Sequence, residues 1–168
     1  MQSDIEILNL LKRRVLIIKP FYKKTLGCAS IDLSLSKHFV KYTKNVDTRA
    51  KEVKTTLTNK SKITLKPNQF VLATTHENVQ LKNGYYGFIE ARGNFARAGI
   101  SVTCGDGHID PGTNGQITLE IKNNNSVDVS LYAGDYICQL FIFKLSSNCS
   151  KVYAGKYSKQ KLPTQFIR

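Results

Sequence analysis

No stretch of 18 consecutive apolar residues occurs in this 168-residue chain, so no segment is built to cross a bilayer as a helix. The opening residues, Met1-Gln2-Ser3-Asp4-Ile5-Glu6, lack the basic-then-apolar order of a secretory signal. Both absences lead to the expectation of a soluble cytoplasmic protein with no membrane partner. Cysteine is sparse: Cys28, Cys104, Cys138 and Cys149 are widely spaced and form no Cys-x-x-Cys pair. That spacing speaks against a zinc cage or a redox dithiol and for scattered free thiols, some of them buried. Acidic residues are also few, 12 against 25 lysines and arginines, giving a net charge of +13, and none follows Asp135. Lysines crowd the stretch from Lys41 to Lys66. Such a surface attracts polyanions, whether nucleic acid or nucleotide triphosphates, and a solvated lysine face reads the same way. No recognition helix, zinc finger or RNA-binding aromatic motif accompanies the charge, so a nucleic-acid partner is not expected.

The composition that remains, 41% hydrophobic and 22% charged, is that of an ordinary globular protein. The length suits a single domain over 1–168, large enough to bury a core without disulfides. Ile5, Leu8, Leu10 and Leu11 recur at roughly helical spacing, and Lys12-Arg13-Arg14 suits a helix C-terminus. A short buried strand follows at Val15–Ile18, stopped by Pro20. Strand signals then dominate. Ile31–Leu35 and Ile63–Leu65 alternate with period two, Phe70–Thr75 and Tyr85–Glu90 are β-rich, and Gln116–Ile121, Val127–Leu131 and Tyr136–Phe143 complete the set. Turns are read at Asn83-Gly84, Asn123-Asn124-Asn125 and Ala133-Gly134-Asp135, and residues 43–62 as a loop or irregular edge hairpin. Many short strands without alternating helices predict a mainly β sandwich, jelly roll or barrel.

One segment breaks the pattern. Asn94-Phe95-Ala96-Arg97-Ala98 has the composition of a short internal helix capped by Gly99, with Gly93 ahead of it. Unpaired N–H groups at such a start favour anions, and the guanidinium forks of Arg92 and Arg97 suit phosphate.

Several motifs occur in order along the chain. Ser30-Ile31-Asp32-Leu33-Ser34-Leu35 is followed by Ala91-Arg92-Gly93-Asn94-Phe95-Ala96-Arg97-Ala98-Gly99. Next comes Gly107-His108-Ile109-Asp110-Pro111-Gly112, running on through Gly115-Gln116-Ile117-Thr118-Leu119-Glu120. Then come Ala133-Gly134-Asp135-Tyr136-Ile137-Cys138-Gln139-Leu140, and finally Tyr153…Lys156-Tyr157 with Gln160. Together these resemble the dCTP deaminase and dUTPase superfamily, closest to the deaminases. The resemblance implies a distorted jelly-roll or β-barrel trimer of the dUTPase-like type, with a short N-terminal helix and one short internal helix. It implies active sites shared between subunits, magnesium bound with the triphosphate of dCTP or dUTP, no zinc, and residues 153–168 as a flexible lid.

The resemblance assigns catalytic roles to Glu120, Arg97 and Asp110. It assigns substrate contacts to Arg92, Gly93, Asn94, Asp106, His108, Gln139, Tyr153, Lys156 and Gln160, and no metal ligand among them. In the deaminase reading Glu120 draws a proton from water that attacks C4 of cytosine. The residues of the zinc-deaminase signature are absent from the sequence. In the dUTPase reading Asp110 activates water toward the α-phosphorus. Some relatives of both groups perform both steps. The glycine-rich C-terminal arm of dUTPases is missing, which favours the deaminase side. Gly93 and Asn94 stand where the deaminases carry serines, His108 where many carry a phosphate-binding arginine, Asp106 where alanine is usual, and Thr113 where an aromatic is usual. These departures keep a third reading open, a non-catalytic nucleotide-binding or regulatory relative. His38 and His76 lie outside the motifs.

Overall fold

A computed structural model describes residues 1–167; Arg168, counted above with the tail, lies outside the described residues. Helix α1 (Asp4–Lys12) starts where Ser3 offers its hydroxyl to the Glu6 N–H, with Asp4 and Glu6 in the first turn and Lys12 in the last, as the helix dipole favours. Its buried residues, Ile7 and Leu10, join the hydrophobic core.

The strands follow as β1 (Leu16–Lys19), β2 (Ile31–Tyr42), β3 (Thr55–Asn59), β4 (Lys62–Leu65), β5 (Phe70–Leu81), β6 (Tyr85–Ala91), β7 (Ile100–Ser101), β8 (His108–Ile109), β9 (Asn114–Asn123), β10 (Val129–Tyr132) and β11 (Tyr136–Lys144). A short helix α2 (Gly93–Arg97) lies between β6 and β7, and a 3₁₀ turn covers Lys23–Thr25. The pairs are antiparallel, in the order β7-β9-β5-β2-β11-β6-β8, with β1 on β5 and β3 on β2; β10 and β4 make a separate pair. The result is mostly β, a curled antiparallel sheet of the dUTPase type with two helices, as the strand pattern predicts.

Two differences from the sequence reading have physical causes. The strand read at Phe70–Thr75 continues to Leu81, through His76-Glu77, which the hydropathy pattern treats as its end. Glu77 is nonetheless buried, because its carboxylate accepts from the Ser34 N–H (2.9 Å) and the Ser34 hydroxyl (2.7 Å) where β2 and β5 change register. A buried carboxylate with such donors is affordable where a bare one is not. At the other end of the sheet, residues 43–54 are irregular and β3 forms an exposed edge on β2, so the lysine-rich stretch lies largely in solvent.

The asparagine turn does more than punctuate. Asn123 is fully buried; its amide donates to the carbonyls of Leu65 and Val127 (2.9 Å each), and its oxygen accepts from the Asn125 N–H (2.9 Å). The end of β9 is thereby tied to the β4–β10 pair, which holds the strand bearing Glu120 in register.

Candidate active site

A cavity of about 520 Å³ opens along β9, walled by the loop from Thr103 to Asp110, the start of the loop after β2, and the C-terminal tail. Gln116, Thr118 and Glu120 alternate along the strand and all line it. The backbone at Glu120 is clamped: its N–H donates to the Val102 carbonyl (2.8 Å), and its carbonyl accepts from the Cys104 thiol (3.1 Å). Burial, and secondarily the charge of Asp106, push the Glu120 carboxyl above the ordinary carboxylate range.

Asp106 and His108 form a small unit at the rim. One Asp106 oxygen lies 3.2 Å from the His108 N–H and 3.1 Å from His108 Nδ1. The imidazole rests against the Tyr86 and Phe88 rings, 5.9 and 6.0 Å between centroids. Asp110, exposed at the end of β8, faces the same cavity. Burial, then Asp110 and Asp106, raise the phenol of Tyr86 above its usual range, as negative charge at this rim requires.

The tail is laid against β9. Tyr153 N–H donates to Pro111 (2.7 Å) and Lys159 N–H to Asn114 (2.6 Å); Gln116 N–H donates to Gln160 (3.0 Å), and the Gln160 amide returns a bond to Gln116 (2.9 Å). Farther on, Phe166 N–H donates to the Tyr42 hydroxyl (3.0 Å). The glycines of the Pro-Gly-x-x-Gly segment make room for this approach. Gly112 and Gly115 have φ of +96° and +150°, and a Cβ would stand 2.8 Å from the Tyr153 carbonyl and 2.9 Å from the Gln160 backbone, respectively. The motif in β9 and the motif in the tail are thus two halves of one contact. That contact leaves Gln116 Oε1 and Gln160 Oε1 buried without a hydrogen-bond partner among the described residues. Each such atom costs about 1–3 kcal/mol, which keeps the seated tail weakly held.

Gly115→Ala is therefore expected to unseat the tail with the sheet intact. Limited proteolysis should cut after residue 152 faster than in the parent, at an unchanged melting temperature. Equal cleavage rates would show that the glycine is not what seats the tail.

Of the residues the sequence singles out, Asp106, His108, Asp110, Glu120, Tyr153 and Gln160 come together here, and Thr113 lines the same wall. Arg92, Gly93, Asn94, Arg97, Gln139 and Lys156 do not line it. Arg92 Nε instead pairs with Asp32 (3.1 Å), and the Gln139 amide donates to Asp32 (3.0 Å) and Ser30 (3.2 Å). Gly93 is the first residue of α2 rather than ahead of it, with Arg92 in the capping position and Gly93, Asn94 and Arg97 exposed. Gly99, at φ +78°, ends that helix as expected. Lys156 Nζ donates to the Ile167 carbonyl (3.2 Å) on the outside of the tail. Tyr42, Phe70 and Phe166 are site residues that sequence reasoning missed: they line the cavity, with the Tyr42 and Phe70 rings stacked at 6.4 Å. Phe70 opens an apolar strand and Tyr42 closes another, so their sequence context looks like core. No group of three or more His, Cys, Asp or Glu side chains among the described residues is disposed to hold a metal ion. No helix among them is long and apolar enough to cross a membrane.

The family model described as dCTP deaminase-like matches residues 1–145. The chain is 36% identical over 180 residues to the dCTP deaminase, dUMP-forming, of Dictyoglomus turgidum, covering 96% of this chain and 91% of that one. It is 37% identical over 161 residues to the protein of the same name from a Hydrogenobaculum species, covering 95% and 90%. Among solved structures, the 2'-deoxycytidine 5'-triphosphate deaminase of Agrobacterium tumefaciens superposes with a TM-score of 0.66 at 15% identity, covering 83% of this chain and 47% of that one. The dUTPase of phage phi11 of S. aureus, described as coordinating a structural Mg(II) ion, superposes at 0.54 and 15% identity, covering 85% and 99%. At that identity the two superpositions speak for the fold alone, whereas the match along 1–145 and the two relatives fix the ancestry. The chain belongs to the dCTP deaminase-like family.

Proposed function

We propose that this protein is a nucleotide hydrolase that converts dCTP to dUMP in two steps on one site. Glu120 accepts a proton from water as that water adds to C4 of cytosine. Ammonia leaves the tetrahedral intermediate, giving dUTP. Asp110 then orients a second water toward the α-phosphorus, and pyrophosphate departs from dUMP. The observation that carries the reading is the pairing, in one cavity, of a carboxyl with raised proton affinity and a second, exposed carboxylate. Two carboxylates in unlike environments suit one for proton abstraction near neutral pH and leave the other ionised. The names of the dUMP-forming relatives support the same pair of reactions. Magnesium enters as part of the substrate, on the triphosphate, and screens its charge for attack at phosphorus.

No lysine or arginine is among the residues lining the cavity. In the proposed assembly, a homotrimer, Arg92, Gly93, Asn94, Arg97 and Gln139 of a neighbouring copy complete the phosphate end. Residues 153–168, with Tyr153, Lys156 and Gln160, close over the nucleotide.

Mixing two inactive variants tests the shared site. Arg97→Ala and Glu120→Gln, denatured and refolded together, should regain ammonia release from dCTP that neither shows alone. Light scattering should give a mass three times that of the chain. A monomer, or no recovery on mixing, would mean that each chain builds its site unaided.

Asp106 adds a pH signature. Its charge raises the Glu120 carboxyl, and the base must be deprotonated to act, so activity falls as pH drops through the titration of Glu120. Asp106→Ala removes that contribution. The acid limb of the kcat profile should therefore move to lower pH. A limb that stays in place, or moves up, contradicts the assignment of Glu120 as base.

A further inference from the structure

The electrostatics of the cavity pose a problem for a polyphosphate ligand. Three carboxylates line it, those of Asp106, Asp110 and Glu120, and among the lining side chains only His108 is able to become a cation. Its ring is already aimed. Asp106 takes Nδ1 at 3.1 Å and the His108 N–H at 3.2 Å, which fixes the side chain, and Tyr86 and Phe88 hold the ring from β6. Nε2 has no hydrogen-bond partner among the described residues. An imidazole held this way by a carboxylate is oriented for its far nitrogen to donate outward.

From these contacts we infer that His108 is a phosphate ligand that works only when protonated, so that binding of the nucleotide takes up a proton at this residue. The inference rests on the nucleotide reading above. The groups that face His108 are Asp106 from its own loop, Tyr86 from β6, Asp110 beyond β8, and, across the cavity, Glu120 from β9 and Tyr153 and Tyr157 from the tail. All are neutral or negative near neutral pH, so each favours the imidazolium or leaves it unaffected, and none competes with it for the phosphate. An arginine in this place would bind phosphate at any physiological pH. A histidine, which changes charge between about pH 5 and 8, makes affinity follow acidity.

A non-hydrolysable imido analogue of dUTP with magnesium is the probe. The ring C–H signals of the three histidines, His38, His76 and His108, are followed by NMR from pH 5.5 to 8.5 with and without the analogue, and His108 is identified by its loss in His108→Gln. The His108 midpoint should rise on binding while that of His38 stays put. Calorimetric affinity for the analogue should weaken with pH more steeply than in His108→Arg, by up to about tenfold per pH unit, the limit for one linked proton. A His108 midpoint that is unmoved or lowered at saturation overturns the inference, as does an affinity profile shared with His108→Arg. Failure of the analogue to bind at any pH is a different result: it removes the nucleotide reading itself, and this inference with it.

Discussion

Glu120→Gln should lower ammonia release from dCTP by about 100-fold or more, the usual worth of a placed acid–base group. The substitution keeps the size of the side chain and leaves the backbone clamp to Val102 and Cys104 untouched, since that clamp uses only main-chain atoms of residue 120. What it removes is a base whose proton affinity burial has raised. Because the phosphate contacts lie elsewhere in the proposed site, affinity for the magnesium complex of dCTP should stay within about threefold of the parent, the pattern of an interaction made in the transition state. Stopped assays for ammonia, with calorimetry for binding, separate the two. Deamination at the parental rate would remove Glu120 from the chemistry.

Asp110→Asn should split the reaction instead of slowing all of it. Ammonia should still appear from dCTP, but the product should accumulate as dUTP, with dUMP formation down by about 100-fold or more. The reason is geometric. Asp110 ends β8 at the rim, on a different wall from Glu120, and its carboxylate is exposed to the cavity. Loss of both activities would mean that Asp110 positions the nucleotide for both steps, which an increased KM for dCTP would reveal. Retained dUMP formation would give the second water to another group.

Much of this architecture was legible in the residues. Period-two alternation placed Ile31–Leu35, Ile63–Leu65 and Gln116–Ile121 on strands because each has one buried face, and Ser3 with Asp4 marked the start of α1. The continuation of β5 was hidden because Glu77 looks like surface until Ser34, 43 residues away, is known to meet it. No local pattern carries a partner at that separation. The same holds within the site. Asp106, His108, Asp110 and Glu120 were found through their motifs, whose spacing is local to one loop and one strand. That Gly112 and Gly115 seat the backbone of Tyr153 and Gln160 follows only from the fold. So does the ion pair of Arg92 with Asp32, and the placement of α2 away from the cavity wall. The lysine-rich segment was ambiguous in sequence because exposed charge is compatible with many partners. In the structure Tyr42 and Val46, at its beginning, reach the cavity, although the lysines between 41 and 66 are not among its lining residues.

The claim on which the rest depends is that one protein carries dCTP to dUMP. The most direct measurement is the ratio of ammonia to pyrophosphate released from dCTP and magnesium over the first few turnovers. The account predicts equal amounts of both, with dUMP as the nucleotide product. Ammonia with dUTP and no pyrophosphate would contradict the second step, pyrophosphate only when dUTP is supplied would contradict the first, and neither product from either nucleotide would contradict both.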